Sequence, residues 1–140
     1  MAKSSAKLLD TYRDWVLKAL VHLEYSHAKV QSLPLLSLDE EQLETWESYT
    51  SRFSRVVDLF LTKYLKARVL GEDPAFDGSL RDLCNAAEKK GWIDSADAWV
   101  ALRELRNATA HEYADADLGA FFDRIRREAA RVLALRTLLK

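Results

Sequence analysis

Trp46-Glu47-Ser48-Tyr49-Thr50-Ser51-Arg52-Phe53-Ser54-Arg55-Val56-Val57-Asp58-Leu59-Phe60 reads as a helix, and the fold follows from it. Its large apolar side chains, Trp46, Tyr49, Phe53, Val56, Val57 and Phe60, continue to Tyr64 at spacings of mostly three and four residues. That period places them along one face of a helix. Upstream, Ser37-Leu38-Asp39-Glu40 has the pattern of a capping box, with Ser37 and Glu40 three apart. Downstream, Gly71-Glu72-Asp73-Pro74 stops the run. A helix so bounded has roughly 30 residues and is about 45 Å long.

The same reasoning applies on both sides of this stretch. Leu8, Tyr12, Trp15, Ala19 and Leu23, with Leu9, Val16 and Leu20 widening the stripe, predict a helix from about Ser4 to Val30, ended by Gln31-Ser32-Leu33-Pro34. Ser79 begins a short helix that Gly91 stops, and Asp94 or Ser95 caps the next, which carries Trp99, Leu102 and Leu105. Asp115 or Asp117 opens a last helix with Leu118, Phe121, Phe122, Ile125, Ala129, Val132 and Leu135 inward. The expectation is all-α: an up-down bundle of four to five helices forming one domain over residues 1–140. The aromatic residues Trp15, Trp46, Tyr49, Phe53 and Phe60 fall at helical spacing and are assigned to the core rather than to a base-stacking platform.

Composition narrows the function. Apolar residues make up 49% and charged residues 31% of the chain, enough for a core and too apolar for disorder. Only 4 glycines and 2 prolines argue against a turn-rich all-β fold. The net charge of −1 gives no global basic field, so nucleic-acid binding would need a local patch. The lone Cys84 excludes an intrachain disulfide and a cysteine-cluster zinc site, and its context suits a buried small hydrophobe. His22 and His27 lie five apart with no partner pattern, and no metal or cofactor site is expected. The arginines of the last helix, Arg124, Arg126, Arg127, Arg131 and Arg136, read as a solvated face, with a basic strip beside a phosphate site as the alternative. No apolar run reaches membrane-spanning length and no signal-peptide core follows Met1-Ala2-Lys3-Ser4-Ser5, so a cytoplasmic protein is expected.

Chemistry is concentrated in Leu105-Arg106-Asn107-Ala108-Thr109-Ala110-His111-Glu112-Tyr113. A permanent cation, an amide, a base of near-neutral pKa and a phenol are the groups that hold a phosphate and move a proton beside it. The residue types alone also fit an ordinary helix end, with His111 as a cap and Tyr113 on the core. Spacing adds a constraint. On a regular helix Asn107 and His111 share a face, whereas Arg106 and His111 stand about 140° apart. Arg106 and His111 therefore converge only if the helix ends or loosens near His111 or the Arg side chain sweeps round. The new helix expected after Tyr113-Ala114-Asp115 makes a break there the natural reading, with His111 at a helix C-terminus.

The run Arg106 to Tyr113 resembles the motif of the HEPN superfamily: Arg, a polar residue, three variable positions, then His. The Tyr two residues beyond the His resembles the HepT-like branch, whose members act with a minimal nucleotidyltransferase as a toxin–antitoxin pair. Lys90-Gly91-Trp92-Ile93-Asp94, then Trp99, then Leu105-Arg106-Asn107 is similar to the related nucleotidyltransferase substrate-binding proteins. Those relatives tend to carry acidic residues after an Arg-Phe in helix two. Here Arg52-Phe53 is followed by Ser54-Arg55-Val56-Val57-Asp58, so Asp58 is the one carboxylate nearby.

The resemblance implies a metal-independent endoribonuclease in which the RNA 2′-hydroxyl is the nucleophile. His111 would be the base, Arg106 the cation on the phosphorane, and Asn107 a hydrogen-bonding partner of the phosphate or of His111. It implies a homodimer with a shared cleft, a cognate nucleotidyltransferase antitoxin, and Tyr113 as the acceptor of nucleotidyl groups. The alternative is a non-catalytic subunit that presents substrate to a nucleotidyltransferase. Intact Arg106, Asn107 and His111 favour the first reading, and Gly91-Trp92-Ile93-Asp94 favours the second.

Overall fold

The computed structural model describes residues 2–108 and 115–140. The expected all-α bundle is what forms: α1 Ala2–Val30, α2 Glu40–Asp58, a π-helical segment Leu59–Leu65, α3 Lys66–Glu72, α4 Leu80–Lys89, α5 Ala96–Asn107, α6 Asp115–Leu133 and α7 Leu135–Leu138. From α2 through α3 the backbone is continuously helical, so the long second helix is present with a wider turn inside it. Contacts between α1 and this rod run in opposite chain order. His27 meets Tyr49, Ser26 meets Arg52, and Arg13 lies over Tyr64, so the two are antiparallel. Asp58 meets Arg106 and Phe60 meets Trp99, so α5 also runs antiparallel to the rod.

The core is the second-helix stripe wrapped by the others. Trp46, Tyr49, Phe53, Val56, Val57 and Phe60 are fully buried. Trp46 stacks on Phe122 of α6 with ring centroids 5.2 Å apart and donates its indole N–H to the Pro34 carbonyl at 3.0 Å. That bond pins the α1–α2 connection to the core. Gly119 presses on the same connection, since a Cβ there would lie 2.4 Å from the Leu35 carbonyl oxygen. Cys84 is buried, and burial pushes its thiol up to about 11, consistent with its reading as a small hydrophobe. No helix among the described residues is long and apolar enough to cross a membrane.

Three sequence expectations need correction. Trp15 is 44% exposed and Leu8 46% exposed, so neither belongs to the core. The buried face of α1 is Val16, Ala19, Leu20, Leu23 and Val30, and Trp15 stands about 100° round the helix from Val16. The last helix is interrupted at Ala134, and α7 follows as a separate short turn. The capping box of the second helix is Asp39 with Gln42, not Ser37 with Glu40. The Asp39 carboxylate accepts from Gln42 N–H at 2.8 Å and the Gln42 side chain accepts from Asp39 N–H at 3.0 Å. Ser37 sits at φ 55, whereas an N-cap needs an extended backbone. Asp39→Ala should therefore cost about 1 kcal/mol, and Ser37→Ala should leave the helix start unchanged. Urea midpoints of the two variants read this directly, and equal losses would return the cap to Ser37.

Candidate functional site

Helix α5 carries two arginines toward the second helix. Ser95 caps it by accepting from Ala98 N–H at 3.1 Å, and Asp97 adds negative charge in the first turn. Trp99, Leu102 and Leu105 bury one face. That packing fixes the neighbouring face, where Arg103 and Arg106 are three apart and so lie side by side.

Arg106 is clamped. Its Nε donates to Asp58 Oδ1 at 2.8 Å and its Nη2 to Oδ2 at 2.5 Å, a two-pronged pair between α5 and the end of α2. Its Nη1 donates to the Asn107 side-chain oxygen at 3.3 Å. Hydrogen bonding to Asp58 raises the Arg106 pKa against the opposing effect of burial, so the guanidinium stays charged under any working condition. Of the five N–H donors of a guanidinium, these contacts occupy one on each nitrogen. One remains on each Nη for an incoming oxyanion.

Pairing with Asp58 would cancel that charge were Asp58 not shared. Arg103 Nε lies 3.9 Å from Asp58 Oδ1 and is buried with no hydrogen-bond partner among the described residues. The cluster Arg103–Asp58–Arg106 therefore holds two cations and one anion and stays positive. It is half-buried, with Asp58 29% exposed and Arg106 34% exposed, where charge is screened less than in open water.

The helix break comes earlier than expected. α5 ends at Asn107, and Ala108 is extended at φ −70, ψ 144, its N–H closing the last turn on Glu104 and Leu105 carbonyls. Regular helical spacing thus stops at Asn107 and not near His111. The structure brings Arg106 and Asn107 together at the helix C-terminus, where a cation is favoured. His111 and Tyr113 lie outside the described residues.

Asp58 and Arg103 are the site residues that motif reading did not assign. A signal was present for Asp58: it is the sole carboxylate between Glu47 and Glu72, set among Val56, Val57, Leu59 and Phe60. The other candidates resolve as follows. His27 Nδ1 lies 2.6 Å from the Tyr49 hydroxyl, and burial, reinforced by Arg126, lowers its pKa, so it is a neutral packing group. The arginines of α6 and α7 are largely ion-paired: Arg126 and Arg127 with Asp123, Arg131 with Asp94, Arg136 with Glu24. Arg126 and Arg127 share the one Asp123 carboxylate, and Arg124 is exposed with no ion pair among the described residues, so the strip is partly paired and partly solvated. A separate cleft of about 690 Å³ opens beside Gly91, Trp92, Ile93, Asp94 and Trp99, facing α6 and α7.

In comparisons with known proteins, no family model, no curated protein and no solved structure matches the chain.

Proposed function

We propose that this chain is a HepT-like toxin, a metal-independent endoribonuclease neutralised by a cognate minimal nucleotidyltransferase. The observation that carries the reading is Arg106, held by Asp58 with two donors left over, one residue before the helix ends and the Ala108-to-Tyr113 run begins. A fixed fork of N–H groups with residual positive charge is what a pentacoordinate phosphorane needs. His111 supplies the base for the RNA 2′-hydroxyl, and Asn107, already bonded to Arg106, orients the phosphate. Tyr113 accepts the nucleotidyl group that silences the site. The protein works in the cytoplasm, where its RNA and its partner are.

The functional test is growth. Expression of the chain alone should arrest cells, and co-expression of a cognate nucleotidyltransferase should relieve the arrest. Arrest that survives Arg106→Ala, or no arrest at all, removes the toxin reading.

A homodimer completes the proposal, because two Arg103–Asp58–Arg106 clusters facing one cleft double the local charge of a nearly neutral chain. Light scattering at micromolar concentration should give about twice the 16.0 kDa of one chain. A single species of monomer mass removes the shared cleft.

A second reading, a non-catalytic subunit presenting substrate to a nucleotidyltransferase, is favoured by one observation. The Gly91-Trp92-Ile93-Asp94 run lines a large, mainly apolar cleft, with the Arg131–Asp94 ion pair in its wall. Protein that binds a nucleotide there and never cuts RNA would select this reading.

A further inference from the structure

Cations of this chain differ in their partners. Along α4 to α7 Arg81, Arg106, Arg126, Arg127, Arg131 and Arg136 meet carboxylates, whereas Arg124 is exposed and makes no ion pair among the described residues. The face where α1 meets α2 gathers several cations around an exposed aromatic ring. Arg55 is exposed, and its side chain makes no ion pair or hydrogen bond among the described residues. Arg52 donates only to neutral acceptors, the His22 carbonyl at 3.2 Å and the Ser26 hydroxyl at 2.7 Å, so its charge is intact. Lys18 pairs with Asp14 at 3.0 Å, but both are more than half exposed, and such a pair contributes little and is readily exchanged. Among the described residues, Asp14 is the one acid that forms an ion pair with these groups.

The same face carries the misplaced tryptophan. Trp15, expected in the core, lines a cleft of about 520 Å³ with Lys18, His22, Arg55 and Leu59. An adjoining cleft of about 240 Å³ shares His22 and Arg55 and adds Arg52. The Trp15 ring rests on Tyr12 at 5.1 Å, tilted by 59°, which holds the indole in place while 44% of the residue meets solvent. A large exposed aromatic braced by a second ring and ringed by cations is the combination that grips an unpaired base and its phosphates.

We propose that this α1–α2 groove binds single-stranded RNA, one base stacked on Trp15 and neighbouring phosphates held by Lys18, Arg52 and Arg55. The proposal rests on the ribonuclease reading and deepens it by naming where substrate is held outside the reacting centre. Arg55 is three residues before Asp58, the residue that clamps Arg106, so the two lie on neighbouring positions of one helix face. A strand leaving the groove along that face would run toward Arg106. The cationic lining fits a polyanion, and a stacked base requires a strand that is unpaired.

The test separates binding from cleavage by using a fluorescein-labelled 2′-O-methyl oligoribonucleotide of about 12 nucleotides, which has no 2′-hydroxyl to attack. Anisotropy titrations over a range of salt give the dissociation constant and its salt slope. Lys18→Gln with Arg55→Gln should weaken binding more than tenfold and reduce the slope by about 1.4, the release of two phosphate contacts on a single strand. Trp15→Leu should weaken binding roughly tenfold with the slope unchanged, and Trp15→Phe should restore most of it. All three positions are exposed, so folding is retained and circular dichroism checks it. Unchanged affinity and slope in these variants overturn the groove, as does equal affinity for an acidic peptide. Outcomes for the two proposals are distinguishable. RNA cleavage with indifferent groove variants removes the groove alone, and groove-dependent binding without cleavage of natural RNA removes the ribonuclease reading alone.

Discussion

Arg106→Ala and His111→Ala should each slow RNA cleavage by on the order of 10²-fold or more, the scale of a lost transition-state cation or general base. The reaction should survive EDTA and leave 2′,3′-cyclic phosphate ends, because attack by the 2′-hydroxyl closes that ring and needs a base and a cation. The clamp makes a sharper demand than the motif does. Asp58 takes two of the Arg106 donors and so fixes where the remaining two point. Asp58→Asn keeps size but loses the charge and one acceptor lobe, leaving Arg106 free to swing. It should cost roughly tenfold in kcat through misplacement, with Asp58→Glu recovering less than full activity because its longer arm moves the fork. Arg106→Lys should behave like Arg106→Ala, since an ammonium cannot span both Asp58 oxygens and a phosphate. Cleavage that requires Mg²⁺, or that is untouched in Arg106→Ala and His111→Ala alike, defeats the proposal.

How far the sequence reached can be seen residue by residue. The helices were legible because burial enforces a spacing of three and four, and Trp46 through Tyr64 obey it apart from the adjacent Val56 and Val57. The π-helical turn at Leu59–Leu65 was not, because Phe60, Leu61, Tyr64 and Leu65 keep the same spacing whether the turn holds one more residue or not. Trp15 was misplaced because apolar residues of α1 come in adjacent pairs, Leu8 with Leu9 and Trp15 with Val16. Two faces about 100° apart then satisfy the pattern equally, and only packing against the second helix chooses Val16. Ser37 and Asp39 both stand before an acidic first turn, and the backbone angle that disqualifies Ser37 is not written in residue types. Of the candidate site, the motif singled out Arg106 and Asn107, and the structure places them side by side at the end of α5. Asp58 was noticed as a carboxylate but not as the partner of Arg106, since 48 residues of chain separate them and only the antiparallel packing of α5 on the second helix joins them.

Tyr113→Phe should abolish neutralisation by the nucleotidyltransferase while leaving fold and cleavage intact. α5 closes at Asn107 and α6 opens at Asp115, so Tyr113 belongs to the short connection that also carries His111. A phenol two residues past the proposed base, and seven residues past Arg106 in the sequence, is proposed to cover the reacting centre once it is modified. Transfer of AMP from ATP would join the Tyr113 oxygen to the α-phosphorus and release pyrophosphate. The product is a phosphodiester, an anion of the class that Arg106 is proposed to hold, and it would occupy the two donors that Asp58 leaves free. Inhibition then follows from occupancy, with no change of conformation required. Incubation with the partner and ATP should add one or more AMP masses to the peptide containing Tyr113 and suppress cleavage in proportion to the labelled fraction. Tyr113→Phe removes one hydroxyl, so it should take no label and remain active in the presence of partner and ATP. Label on another peptide, or a Tyr113→Phe protein that the partner still silences, would replace modification with plain steric occlusion. Arg106→Ala separates the two further: occlusion by a bound partner does not depend on that guanidinium, whereas a phosphodiester that docks on it should sit more loosely and be stripped faster by a phosphodiesterase.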